Sequence, residues 1–297
     1  DDSLNVVGDL PTDIPELALP EAAWYKTINK QTMRKMKKEE RERQEIIHEL
    51  AITQKHHVRT LNLLDLVFKP QLSKYLSEDV IRDLFPGLDD LLAASKAFDA
   101  RLERKRSASS TVEDISDVLL EQLTGEGRAE LLRAYGKFCS LHMNALEVFK
   151  DQMRKKNIRY LLKELHSLKD CQRLTLPDFY QSISQHLTKL VPVMHRLAKK
   201  TEALKLPHTA RLKECAEKFL DLVASVDKAV SDHEKHVQLL SIQNRLEVVL
   251  PKSLKNYNHL KGLSLIAHNR TLRKRGDAIW MGNGKQMSMM CGVCGVH

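Results

Sequence analysis

The sequence predicts an all-α fold: an elongated helical bundle with a very long last helix, followed by a short β stub. Three observations predict it. Leu, Lys, Glu, Ala and Arg dominate the 297 residues and aromatics are only 5%, a composition that favours helices over sheets. Apolar residues recur at alternating spacings of three and four over most of the chain, the repeat of one helix face. Six of the eleven glycines follow Pro251, so the composition changes character there.

Residues 1–21 hold prolines, acids and little apolar periodicity, and read as a linker. The chain starts at Asp1 rather than Met, which reads as a fragment of something longer. From Ala22 the pattern is helical, with a polar stretch from Lys30 to Arg43 that reads as a solvated helix. The first strongly amphipathic helix spans about Glu39 to Phe68. Its stripe is Ile47, Leu50, Gln54, His57, Leu61, Leu64 and Phe68. Gln54 and His57 are polar members, and each needs a hydrogen-bond partner if buried. Pro70 is expected to end this helix.

Ser77 is placed as an N-cap, with Glu78 and Asp79 in the first turn where acids suit the helix dipole. Helix continues from Leu84 to Leu102 with a break at Pro86–Gly87, then a polar gap over 103–114. Leu131, Tyr135, Phe138, His142, Ala145 and Phe149 form a further stripe, with His142 read as an interior histidine. Ile183, Leu187, Leu190, Met194 and Leu197 form another, with a kink expected at Pro192. A last seam runs through Leu212, Cys215, Phe219, Val223, Val226, Val230, His233, Val237 and Leu240. A helix of about 40 residues is far above the usual length of roughly 12 and is expected to project beyond the bundle. After Pro251, residues 278–281 and 286–289 flank Gly282-Asn283-Gly284 and read as two short strands joined by a turn.

Composition excludes several classes of function. No apolar run approaches the roughly 20 residues of a membrane-spanning helix. Five scattered cysteines fit a reducing compartment better than a disulfide framework. There is no glycine-rich phosphate loop, nucleophile elbow or H-E-x-x-H pair. Cys291-x-x-Cys294-x-x-His297 offers three ligands where a structural zinc takes four. No metal, cofactor or covalent chemistry is expected. The net charge of +9 fits nucleic acid, anionic lipid or an acidic protein surface, and charge alone does not choose.

Ordered motifs choose. Arg43-Gln-Glu-Ile-Ile-His-Glu-Leu50, Thr53 and His57-Val-Arg-Thr-Leu61 are followed by Leu84-Phe-Pro-Gly-Leu88. Phe138-Cys-Ser140 with Ala145-Leu-Glu147 comes next, then Cys171-Gln-Arg-Leu-Thr-Leu176 with Pro177-Asp178, then Val226-Asp-Lys-Ala-Val230. This series resembles Dbl-homology domains, most of all those of the RGS-containing Rho exchange factors (the PDZ-RhoGEF and leukemia-associated RhoGEF group). Trp24 lies where that group carries a tryptophan in an N-terminal helical extension. Lys261-Gly-Leu-Ser-Leu265 and Ala278-Ile-Trp280 resemble the start of a pleckstrin-homology domain. The resemblance spans roughly 22–290. It implies a linker (1–21), a helical extension (22–42), a Dbl-homology domain (43–250) and an incomplete pleckstrin-homology start and tail (251–297).

The resemblance implies guanine-nucleotide exchange on a Rho-family GTPase, RhoA-like by subgroup, through tighter binding of the nucleotide-free form. Glu49 is expected to meet the first switch segment through charge-assisted bonds to backbone N–H groups. Lys189 is expected to approach the second switch, and Trp24 to pack near the GTPase. The departures concentrate on the same surface. His186 stands for the usual arginine, Leu190 for a tyrosine, and the proline falls at Pro192. Asp227 stands for an asparagine that touches the GTPase, which removes an amide donor and adds a negative charge. Ser231 and Gln238 stand for basic residues, with Lys228 and Lys235 as partial compensation. Losing rim charges of this kind lowers association rate and selectivity. An alternative implied role is therefore a Dbl-fold scaffold with weak or no exchange. The resemblance also implies a cytoplasmic protein recruited to membranes during signalling, with weak contact to anionic membrane and no nucleic-acid partner. Control by a heterotrimeric G-protein α subunit is implied only if an RGS domain is present elsewhere.

Overall fold

The computed structural model describes residues 14–19, 28, 30–109, 111–245, 266, 270–282 and 285–296, of which the strand residues are described mainly by their backbone. Trp24 and the linker as far as Asp13 lie outside the described residues. Two compact units are present, Asp1–Asp227 and Lys228–His297.

In the first unit, a 3-10 turn at Pro15–Leu17 precedes α1 (Lys30–Lys35) and α2 (Lys38–Leu63). All seven members of the Ile47–Phe68 stripe are buried at 5% exposure or less. Pro70 does not stop the helix, contrary to the sequence expectation. The chain widens into a π turn over Leu64–Phe68 and continues as α3 (Lys69–Ser73), with Pro70 in its first turn. Proline removes an N–H and crowds the carbonyl four residues back. The wider turn just before it relieves both problems without ending the rod.

α4 (Glu78–Leu84) and α5 (Leu88–Ser107) are separated at Pro86–Gly87 as the sequence predicts. Gly87 takes φ +64° at the start of α5, a left-handed position that costs a side chain strain. α5 runs further than expected, into the polar gap. Arg104, Lys105 and Arg106 fill its last turn, where cations oppose the negative end of the helix dipole. α6 (Ser116–Leu123), α7 (Gly125–Gln152), α8 (Lys156–Ser167), a 3-10 turn (Lys169–Cys171), α9 (Leu176–Ser184) and α10 (His186–Ala203) follow. Thr175 and Asp178 form a reciprocal capping box at the start of α9, which satisfies donors that would otherwise be orphaned.

The core forms around α2, which packs on α5 and on α10, and around α7, which packs on α4, α5, α6 and α9. Tyr135, Phe138, Tyr180 and Phe219 are fully buried. Burying each such side chain contributes about 1.5–3 kcal/mol. Tyr180 is polar at its tip and donates to the Leu84 carbonyl at 2.5 Å.

α11 (Thr209–Arg245) is 37 residues long, close to the expected length. Within the first unit Leu212, Cys215, Phe219 and Val226 are buried as the seam predicts. Within the second unit the seam drifts: Val237 is 48% exposed and Leu239 is buried. A strict alternation of three and four does not stay on one line of a 3.6-residue helix over many turns. Pro251 lies outside the described residues. The second unit also contains β1 (Arg270–Gly282) and β2 (Lys285–Val296), antiparallel, with Trp280 opposite Met287 and an irregularity between Leu272 and Lys274. The two expected strands are present and longer than the sequence suggests.

Candidate functional site

α2 and α10 are amphipathic, and they pack along their apolar stripes. Ile47 and Leu50 on α2, and Leu190, Met194 and Leu197 on α10, are all buried. Inside this seam lies a polar cluster. His186 Nε2 donates to Gln54 Oε1 at 2.9 Å. Gln54 Nε2 donates to the Ser95 carbonyl of α5 at 3.0 Å. The His57 and His186 rings stack with centroids 3.8 Å apart and planes within 8°. His57 Nε2 and the Tyr135 hydroxyl of α7 share a 2.8 Å hydrogen bond. The two polar members of the α2 stripe therefore have the partners that burial demands.

This arrangement keeps the histidines neutral. Burial, with Lys189 nearby, pushes His186 down to about 3. Burial, His186 and Lys189 hold His57 well below the ordinary histidine value. His186 is thus not a surface contact, in contrast to the sequence expectation. It is 4% exposed, and its ring joins the helices from within. Position 186 follows Ile183 by three and precedes Leu190 by four, which puts it on the buried side of α10.

Glu49 and Lys189 have the exposure that a partner needs. Glu49 is exposed on α2, and Lys189 is exposed in the first turn of α10. Glu49 is engaged within the chain: Arg196 Nη2 of α10 donates to its Oε1. Lys200 makes the same kind of contact with Glu42. Both pairs border a groove of about 790 Å³ between α1, α2 and α10, which Met33, Ile46 and Ala203 also line. Sequence reading missed Arg196 and Lys200. The signal available was an acidic row on α2 at 42, 45 and 49 and a basic row on α10 at 196, 199 and 200. Neither row names its partner.

Asp227 is exposed on α11. Its charge, after burial, helps push the Cys139 thiol of α7 up to about 11. Ser231 is half-buried, and Lys235 and Gln238 are exposed; all three belong to the second unit. Trp24 lies outside the described residues.

Several motif residues do structural work. Arg43 Nη2 and Gln44 Nε2 both donate to the Val112 carbonyl at 2.7 Å. The Val112 N–H donates back to Gln44 Oε1 at 2.9 Å. The loop before α6 is thereby tied to α2. Arg59 donates to the Leu17 carbonyl at 2.6 Å and to Asp170 at 2.8 Å, joining the N-terminal turn and the α8–α9 connection to α2. His142 is half-buried and bonded to the Cys139 carbonyl of its own helix at 2.7 Å. Cys139, Cys171 and Cys215 are buried and free.

This sequence and fold have close counterparts. The chain is 31% identical over 284 residues to mouse Rho guanine nucleotide exchange factor 12, covering 93% of this chain and 18% of that protein. It is 29% identical over 284 residues to human Rho guanine nucleotide exchange factor 11, covering 94% and 18%. The chain thus spans less than a fifth of the length of these relatives. Among solved structures, the DH/PH domains of p115-RhoGEF superpose with a TM-score of 0.79 at 27% identity, covering 92% of this chain and 75% of that one. The PDZ-RhoGEF DH/PH domains in complex with GTP-γ-S activated RhoA superpose with a TM-score of 0.76 at 26% identity, covering 92% and 77%. The model of the RhoGEF domain matches residues 46–227, the stretch from within α2 through α10 and the whole of the first unit's share of α11, and the chain belongs to the RhoGEF domain family.

Proposed function

We propose that this chain catalyses guanine-nucleotide exchange on a RhoA-like GTPase by binding its nucleotide-free state more tightly than its nucleotide-bound state. The observation that carries the reading is the α2–α10 surface, where exposed Glu49 and Lys189 stand on two helices locked together from beneath. An exchange catalyst of this kind makes no covalent bond. It lowers the barrier to nucleotide release by differential binding, and this requires a preorganised surface. The buried Gln54–His186–His57–Tyr135 cluster supplies that rigidity. Glu49 accepts backbone N–H bonds from the first switch and Lys189 approaches the second. Asp227, Ser231, Lys235, Gln238 and Trp24 complete the contact set. Residues 43–250 act as the Dbl-homology domain, with 1–21 as linker, 22–42 as extension and 251–297 as an incomplete pleckstrin-homology start.

In the cell the protein works in the cytoplasm and is recruited to membrane during signalling. Among the described residues no helix is long and apolar enough to cross a membrane. Control by a heterotrimeric G-protein α subunit operates only through an RGS domain elsewhere in the full-length protein.

Release of a fluorescent GDP analogue from RhoA, from a Rac-type and from a Cdc-type GTPase tests the reading. RhoA-selective acceleration that Glu49→Ala abolishes supports it. One observation favours a second reading, a scaffold with weak exchange: Asp227 puts a negative charge on the contact surface. Retained binding to nucleotide-free RhoA without acceleration would establish the scaffold. Absence of any GTPase binding would sink both.

A further inference from the structure

α8 is 12 residues long and divides cleanly into two faces. Ile158, Leu161, Leu162 and Leu165 are buried at 2% exposure or less. The opposite stripe at spacings of three and four is Lys156, Arg159, Tyr160 and Lys163, all exposed. Lys155 adds a further exposed cation at the helix start. Among the described residues none of Lys155, Lys156, Arg159 and Lys163 has an ion-pair partner. The one acid on α8, Glu164, is half-buried on the flank. On the α7 side, Asp151 and Glu147 are already taken by Arg154 and Lys150.

This face carries a cost within the chain. Like charges three and four apart on a helix repel. Cations in the first turn oppose the positive end of the helix dipole, and the first turn of α8 contains no acid. Among the described residues no acid pairs with this row, so the four charges face solvent together and are available to an anionic surface.

We propose that the exposed face of α8 is a contact surface for anionic phospholipid headgroups. The stripe is convex and about 10 Å long from Lys156 to Lys163 at 1.5 Å per residue. A convex row of flexible cations selects by charge density rather than by shape, and a fluid anionic bilayer supplies charge that adapts to it. Tyr160 is 47% exposed in the middle of the row. An aromatic ring with a polar tip suits the headgroup boundary, and the lysine stems keep their charges at the same level. Phosphate-backbone recognition by a single nucleic-acid strand would call for a groove and several stacking rings, and this face has one ring and no groove. The proposal deepens the membrane-recruitment part of the function proposed above, and its test needs no GTPase.

The test is co-sedimentation of the whole chain with phosphatidylcholine vesicles and with vesicles containing about 30% phosphatidylserine. The chain is expected to bind the anionic vesicles, less as salt rises, and not the neutral ones. Each basic residue near such a surface contributes about fivefold to partitioning. Lys156→Glu/Arg159→Glu/Lys163→Glu should therefore weaken binding by about 100-fold or more. Tyr160→Ala, which leaves charge unchanged and keeps the buried face intact, should weaken it several-fold. Arg34→Glu/Lys35→Glu/Lys37→Glu makes the same charge change at the α1–α2 junction and serves as the control. Equal losses in the two triple variants would overturn the proposal, because net charge would then explain binding. Equal binding to neutral vesicles, or RNA binding as strong as vesicle binding and lost in the same α8 variant, would also overturn it. Vesicle binding that persists without exchange activity would leave this surface standing and remove only the exchange reading.

Discussion

Arg196 on α10 donates an ion-paired hydrogen bond to Glu49 on α2, across 147 positions of sequence. The side chains of both are about half exposed, 52% and 45%, so water screens the pair and its contribution to stability is small, about 0–1 kcal/mol. Its larger consequence is that the carboxylate proposed to meet the first switch already has a partner.

Arg196→Ala is expected to leave the melting temperature within about 2 °C of the parent, because a screened pair holds little stability. It should raise the exchange rate on RhoA by up to about fivefold, the most that releasing such a pair can supply. A fall in rate would show that Arg196 holds Glu49 in its working position instead. Fluorescent-nucleotide release and a thermal melt on the same sample separate the two outcomes.

The buried histidines make stability depend on pH. Both have folded values depressed below the ordinary 6.5, His186 to about 3. The unfolded chain therefore binds protons first as pH falls below about 6.5. Stability is complete above that value and declines progressively toward pH 3. At pH 5.5 the loss from His186 is about 1.4 kcal/mol, and His57 adds to it in the same direction. Denaturant melts at pH 7.5 and pH 5.5 measure this, and His57→Gln/His186→Gln should flatten the difference. An unchanged pH dependence in that variant would place the acid sensitivity elsewhere.

Gln54 links three helices by donating to the Ser95 carbonyl and accepting from His186. Gln54→Leu keeps the volume but orphans a buried donor and a buried acceptor. The expected loss is about 2–4 kcal/mol, since each unsatisfied group costs about 1–3. Urea unfolding midpoints test it. A loss below about 0.5 kcal/mol would mean that water or rotation re-satisfies both groups.

Asp227→Asn places an amide at an exposed position on α11 and removes a negative charge from the surface proposed to meet the GTPase. Exchange on RhoA should rise several-fold, mainly through faster association at low salt. A drop would show that this chain docks its GTPase differently from its relatives.

The helices were legible because periodicity is local. Ile47 to Phe68 and Ile183 to Leu197 each announce one buried face, and both faces are buried in the structure. The Pro86–Gly87 break depends on residues adjacent in sequence. Pro70 and Val237 misled for related reasons. A widened turn and the drift of a long helix are adjustments of geometry that apolar spacing does not record.

The sequence by itself determined the all-α class, the buried stripes, the demand that Gln54 and His57 find partners, and the family. Only the tertiary structure decided who those partners are. His186 reads as a surface substitution until α10 is laid on α2, where its ring lies against His57 and its N–H meets Gln54. Arg196 carries no mark in sequence until the same packing puts it beside Glu49. Local spacing specifies which face of a helix turns inward. The choice of partner is made by packing between segments more than a hundred residues apart, where burial energy and hydrogen-bond geometry act together.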